Sequence, residues 1–134
     1  MGRSYTPVPP DFPGATWIAR AREDLEMAET LAAAGSAPWG VCYHCQQALE
    51  KALKAMLVAA GAEPPRSHNL VRLNAMLDPP VFGSDYEEHL AALTVWAVVQ
   101  RYPADQPEPT PGDAAQALTV SRHGMASIES RLSG

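Results

Sequence analysis

The sequence predicts an all-α protein: an up-and-down four-helix bundle with one additional short helix. Three observations carry that prediction. Apolar residues recur at three- and four-residue spacing over four long stretches and one short one. Clusters of glycine and proline separate those stretches. No long alternating strand pattern and no internal repeat occurs in the 134 residues.

Residues 1–15 are proline-rich and read as an irregular arm, leaving residues 16–134 for one helical domain. Thr16 is the expected N-cap of a first helix running to about Ala34, and Gly35-Ser36-Ala37-Pro38 breaks it. Its apolar arc holds Trp17, Ile18, Ala21, Leu25, Ala28, Leu31 and Ala32. A second helix runs from about Trp39 to Ala60, where Gly61 supplies the stop. Ser67 or His68 opens a short third helix carrying Leu70, Leu73 and Leu77, and Asp78-Pro79-Pro80 closes it. Ser84-Asp85-Tyr86-Glu87 matches a capping box and starts a fourth helix expected to reach Arg101, since Pro103 forbids extension. Thr110-Pro111 pairs an N-cap with a first-turn proline and opens the fifth, in which Leu118, Met125, Ile128 and Leu132 recur on one side.

The length suits one domain with its own core. A net charge of −5 disfavours broad coating of nucleic acid but leaves room for a local basic patch. No apolar run reaches bilayer length and no secretory pattern opens the chain, so the expected location is the cytoplasm, away from membranes. Met1-Gly2-Arg3-Ser4-Tyr5-Thr6 fits the loose myristoylation pattern, which arises readily by chance. The two cysteines, Cys42 and Cys45, lie one helical turn apart. A thiolate metal site needs a second paired set, so no metal or other cofactor is expected; two reduced thiols in a helix seam fit the spacing.

The second helix is the most informative segment. One arc holds Cys42, Cys45, Leu49, Ala52, Leu53, Met56 and Leu57; the opposite arc holds His44, Gln47, Lys51 and Lys54. Arg66 and His68 follow just after the helix stop and could converge on the same region. Imidazole, amide, ammonium and guanidinium groups suit a phosphate or a base, so these six are the candidate ligand-binding residues. The bland alternative is a solvated face with a Glu50–Lys54 pair, contributing about 0.2–0.5 kcal/mol.

Three polar residues sit where apolar ones belong. Asp24 falls inside the apolar arc of the first helix, Gln46 at the edge of that of the second, and Arg101 beside Leu90 and Ala97 in the fourth. A buried carboxylate needs a partner, so a buried polar network of Asp24, Arg101 and Gln46 is expected. Val95, Trp96, Val98 and Val99 make the fourth helix apolar nearly all round, which implies a central helix or one covered by a second copy; a homodimer is the preferred reading.

Asp24-Leu25, His44-Cys45-Gln46-Gln47-Ala48-Leu49-Glu50-Lys51-Ala52-Leu53-Lys54-Ala55, Arg66-Ser67-His68-Asn69-Leu70 and Arg101-Tyr102-Pro103, in this order and spacing, resemble the HEPN domain family over about Thr16 to Leu132. The resemblance implies an all-α bundle, usually dimeric, that binds nucleotides and often works beside a small nucleotidyltransferase. Some members are ribonucleases of toxin–antitoxin or defence systems and resemble one another in an Arg followed four to six residues later by His. No Arg here has a His at that spacing: after Arg101 the positions are Gln106, Pro107 and Glu108. No catalytic residues are therefore assigned and activity of this chain alone is not expected. Two readings remain: a binding module for a nucleotide or phosphorylated ligand, and an interaction protein that binds a second copy or a nucleotidyltransferase without a ligand of its own.

Overall fold

In the computed structural model, residues 12–97 and 108–134 are described. They form α1 (Ala15–Ala33), α2 (Pro38–Ala59), α3 (Leu70–Ala75), α4 (Glu87–Thr94) and α5 (Pro111–Ser133). Short 3₁₀ turns at Ser84–Tyr86 and Val95–Ala97 flank α4, and no strand occurs among the described residues. The proline-rich arm up to residue 11, Val98, Val99, Arg101 and the proline-rich stretch to residue 107 lie outside the described residues.

The centre of the molecule is α2. It packs on α1 and α5 along its length and meets α3 and α4 as well. Its burial therefore extends beyond one arc: Val41, Cys42, Cys45, Ala48, Leu49, Ala52, Leu53, Ala55, Met56 and Leu57 are all buried. The fourth helix, which its composition made a candidate for the centre, is instead peripheral over its described part, with Leu90 and Leu93 buried and Val95 47% exposed. Within its described part, regular α geometry ends at Thr94 and tightens to 3₁₀ at Val95, and the rest of the stretch expected to reach Arg101 lies outside the described residues. Both cysteines are free and buried, and burial pushes each thiol up to about 12.

The ends of the helices show where local signals hold. Thr110 caps α5 as expected and completes a reciprocal box with Asp113, at 3.0 Å from the Asp113 N–H to Thr110 Oγ1 and 2.8 Å from the Thr110 N–H to Asp113 Oδ2. Gly61, with φ +86°, follows the end of α2. Thr16 does not cap α1; Gly14 does, at φ +102°. Asn69 caps α3 in place of Ser67 or His68, accepting from the Arg72 N–H at 3.1 Å. The Ser84–Glu87 box does not form, because a 3₁₀ turn occupies those residues and no side chain caps α4.

Two contacts place the loop after α2. The Leu70 N–H donates to Thr94 Oγ1 at 3.1 Å, which ties the start of α3 to the end of α4. Buried Asn74 exchanges two hydrogen bonds with the Phe82 backbone, at 2.9 and 3.0 Å, fixing the loop between α3 and α4. His68, in the loop between α2 and α3, is itself held against the middle of α2 by Gln46 and Glu50.

Candidate functional site

Two buried carboxylates organise the middle of α2. Asp24, on the α1 face turned to α2, is buried as its place in the apolar arc implied. Lys51 Nζ donates to its Oδ2 at 2.6 Å and His44 Nδ1 to its Oδ1 at 2.9 Å. His44 and Lys51 are two helical turns apart, so both reach one carboxylate from the same side of α2. A carboxylate can only accept, so Nδ1 carries the proton and, in the neutral ring, Nε2 is left as an acceptor. Arg101, the partner that the sequence suggests for Asp24, lies outside the described residues.

Glu50 is the second centre. Its Oε2 accepts from Lys54 Nζ at 2.9 Å, and its Oε1 from His68 Nδ1 at 2.9 Å and Gln46 Nε2 at 3.2 Å. Gln47 Nε2 reaches the same Oε1 at 3.4 Å. Burial alone would push the Glu50 carboxyl up; hydrogen bonds from Lys54, His68 and Gln46, with the charge of Lys54, outweigh it and hold the carboxyl below its ordinary value. The network also reaches the loop backbone: Gln46 Nε2 donates to the His68 carbonyl at 3.0 Å, and Gln47 Nε2 to Gln46 Oε1 at 2.7 Å.

The six candidate residues thus fall into two groups. His44, Gln47 and Lys51 on α2 and His68 on the loop reach the surface around the two carboxylates, and Arg66 stands exposed two residues before His68. Arg66 makes no hydrogen bond or ion pair among the described residues. Lys54 differs. A helical wheel puts it on the outer arc, yet it is only 6% exposed, because α1 covers that side of α2. Its ammonium lies 5.6 Å from the Trp17 ring centroid and is held by Glu50. Gln46 is fully buried, as its position implied.

The sequence places Glu50 only in a solvated pair with Lys54; the pair forms, at 2.9 Å, but it is buried. A usable signal existed: Gln46, Glu50 and Lys54 succeed one another at four-residue spacing, so a ladder that begins with a buried Gln46 continues into the core. Arg22, half-buried on α1, and Glu129 on α5 form a further ion pair that no motif announced. No cluster of three or more His, Cys, Asp or Glu side chains able to hold a metal occurs among the described residues.

Beside His44 an open groove of about 560 Å³ runs along α1, lined by Glu23, Glu26, Met27, Thr30 and Leu31. Two carboxylates on its rim make it a poor place for a phosphate. The cationic side of the site is the other one, toward Lys51 and the Arg66–His68 loop.

No helix among the described residues is long and apolar enough to cross a membrane. No curated protein matches this sequence. Among solved structures, the chain is similar to TT1696 from Thermus thermophilus, at 28% identity and TM-score 0.77, over 89% of this chain and 98% of that one. It is also similar to an archaeal HEPN homologue, at 25% identity and TM-score 0.72, over 90% of this chain and 98% of that one. The family model of the HEPN domain matches residues 15–128, a span that contains α1 to α4, most of α5 and every residue of the two carboxylate clusters. This chain belongs to the HEPN domain family.

Proposed function

We propose that this chain is a cytoplasmic HEPN module that binds a nucleotide, or another phosphorylated ligand, on the face formed by the middle of α2 and the Arg66–His68 loop. It acts as a homodimer beside a small nucleotidyltransferase. One observation carries the ligand reading: His44, Gln47, Lys51 and His68 surround two buried carboxylates, and Arg66, exposed and without a partner among the described residues, stands two residues before His68 in the chain. The carboxylates act as anchors. They fix long side chains that would otherwise lose rotamer freedom on binding, so the recognition groups are set in place beforehand. Asp24 and Glu50 offset Lys51 and Lys54, so on the side away from the Glu23 and Glu26 groove the excess is the single charge of Arg66. That excess, without a glycine-rich phosphate loop, corresponds to modest affinity that weakens with salt.

Arg66 is the cleanest probe, because removing it leaves no buried charge behind. Calorimetric titration with ATP should show binding that Arg66→Ala weakens about tenfold, through loss of a charge-assisted contact to phosphate. The melting temperature of Arg66→Ala should match that of the wild type. Identical heats from the two proteins would remove Arg66 from the site; no heat with any nucleotide would favour a purely protein-binding role.

A further inference from the structure

The hydrogen bonds around Gln47 admit a single orientation of its side-chain amide, and that orientation decides what the site can read. The His68 backbone carbonyl can only accept. Gln46 must therefore turn its Nε2 toward it, at 3.0 Å, and the same nitrogen also donates to Glu50 Oε1 at 3.2 Å. Gln46 Oε1 is then left facing Gln47, and an amide oxygen can only accept. So Gln47 must present its own Nε2, at 2.7 Å. That nitrogen also points toward Glu50 Oε1 at 3.4 Å, a carboxylate oxygen already accepting from His68 and Gln46. Turning the Gln47 amide over would set its oxygen against two acceptors at once. The carbonyl of Gln47 is consequently the part left over. It accepts from no group among the described residues, and it is not among their buried atoms without a partner, so it meets solvent. His44 lies one turn before it on α2 and Lys51 one turn after.

We infer that Gln47 is a specificity residue that presents a fixed hydrogen-bond acceptor and selects ligands carrying an amino group. In a nucleotide this means an adenine or cytosine amino group in preference to the keto oxygen at the equivalent position of hypoxanthine or uracil. A keto oxygen placed there would meet the Gln47 oxygen, acceptor to acceptor, and the amide cannot rotate to relieve it. Gln46 is a positioning residue: it holds the orientation without reaching the ligand. The inference rests on the nucleotide-binding reading above and adds the direction of its selectivity.

Matched pairs differing at that one group test it. Titrating the wild-type protein with ATP and ITP, and with CTP and UTP, should give tighter binding of the amino member of at least one pair, by about five- to tenfold for a single half-exposed hydrogen bond. Gln47→Met should bring the two members of that pair together. Gln46→Leu should shrink the preference in part, by removing the nearer of the two acceptors that hold the Gln47 amide, which a merely structural role for Gln46 would not do. Equal affinities within both wild-type pairs would overturn this inference and leave nucleotide binding standing. A preference that persists in Gln47→Met would overturn the role of Gln47. Failure of all four nucleotides to bind would overturn the inference together with the reading on which it rests.

Discussion

Glu50 accepts hydrogen bonds from an ammonium, an imidazole and an amide while only 5% exposed. Replacing it with Gln leaves the Lys54 ammonium buried against a neutral amide. Glu50→Gln should therefore cost about 3–5 kcal/mol at neutral pH, read from urea unfolding. The pH dependence has a definite sign. The folded-state carboxyl titrates below its ordinary 4.5, so its contribution is complete above that value and vanishes as pH falls through the folded-state value. The wild type should lose stability steadily below about pH 4.5, and Glu50→Gln should decline less steeply over the same range. Parallel declines would show that Glu50 is not the titrating group. At this scale the sequence was half legible. Asp24 and Gln46 betrayed their burial by falling among apolar neighbours on the wheel. Glu50 and Lys54 did not, because charges at four-residue spacing form an ordinary surface pair unless other segments cover them; here Trp17 of α1 covers Lys54 and the His68 loop meets Glu50.

Helix ends decide how α1 reaches α2. Gly14 precedes α1 at φ +102°, and a Cβ there would meet the Ala55 carbonyl oxygen at 2.6 Å. The obstacle is backbone, which cannot swing aside as a side chain can. Gly14→Ala should destabilise the protein by about 2–4 kcal/mol, combining left-handed strain with overpacking. Gly35→Ala, at φ +69° in open space, isolates the strain and should cost about 1 kcal/mol. Thermal melts of the two variants separate the terms; equal losses would mean that the Ala55 contact yields. Termini were legible where the side chain itself makes the bond, as with Thr110 at α5. They were not at α1, where a glycine was needed for a close approach that only tertiary packing reveals. Nor were they at α4, where a capping-box pattern folded into a 3₁₀ turn instead.

The all-α class and the order of the five helices were readable, because helical apolar spacing and Gly/Pro punctuation are local, although the fourth is α-helical only over Glu87–Thr94 among the described residues. Which helix lies at the centre was not. Composition left the fourth either central or covered by a second copy; α2 takes the centre, since its small residues and paired charges tolerate neighbours on every side. Val95 at the end of α4 is then exposed, with Trp96 half-buried beside it, and this surface is where a second copy is expected. Sedimentation at micromolar concentration should report a dimer, and Val95→Asp should yield a folded monomer with an unchanged helical circular dichroism signal. A monomeric wild type would remove the homodimer from the proposal.

The doubled duty of Asp24 and Glu50 has an evolutionary corollary. A descendant of this chain without the proposed ligand would still need both acids, or Lys54 would be left buried and Lys51 half-buried without a counter-charge. Their retention in a relative would accordingly attest to folding alone. Arg66 and the outward carbonyl of Gln47 have no such obligation, so they are the positions free to drift once recognition is abandoned, and their persistence is the better witness of use.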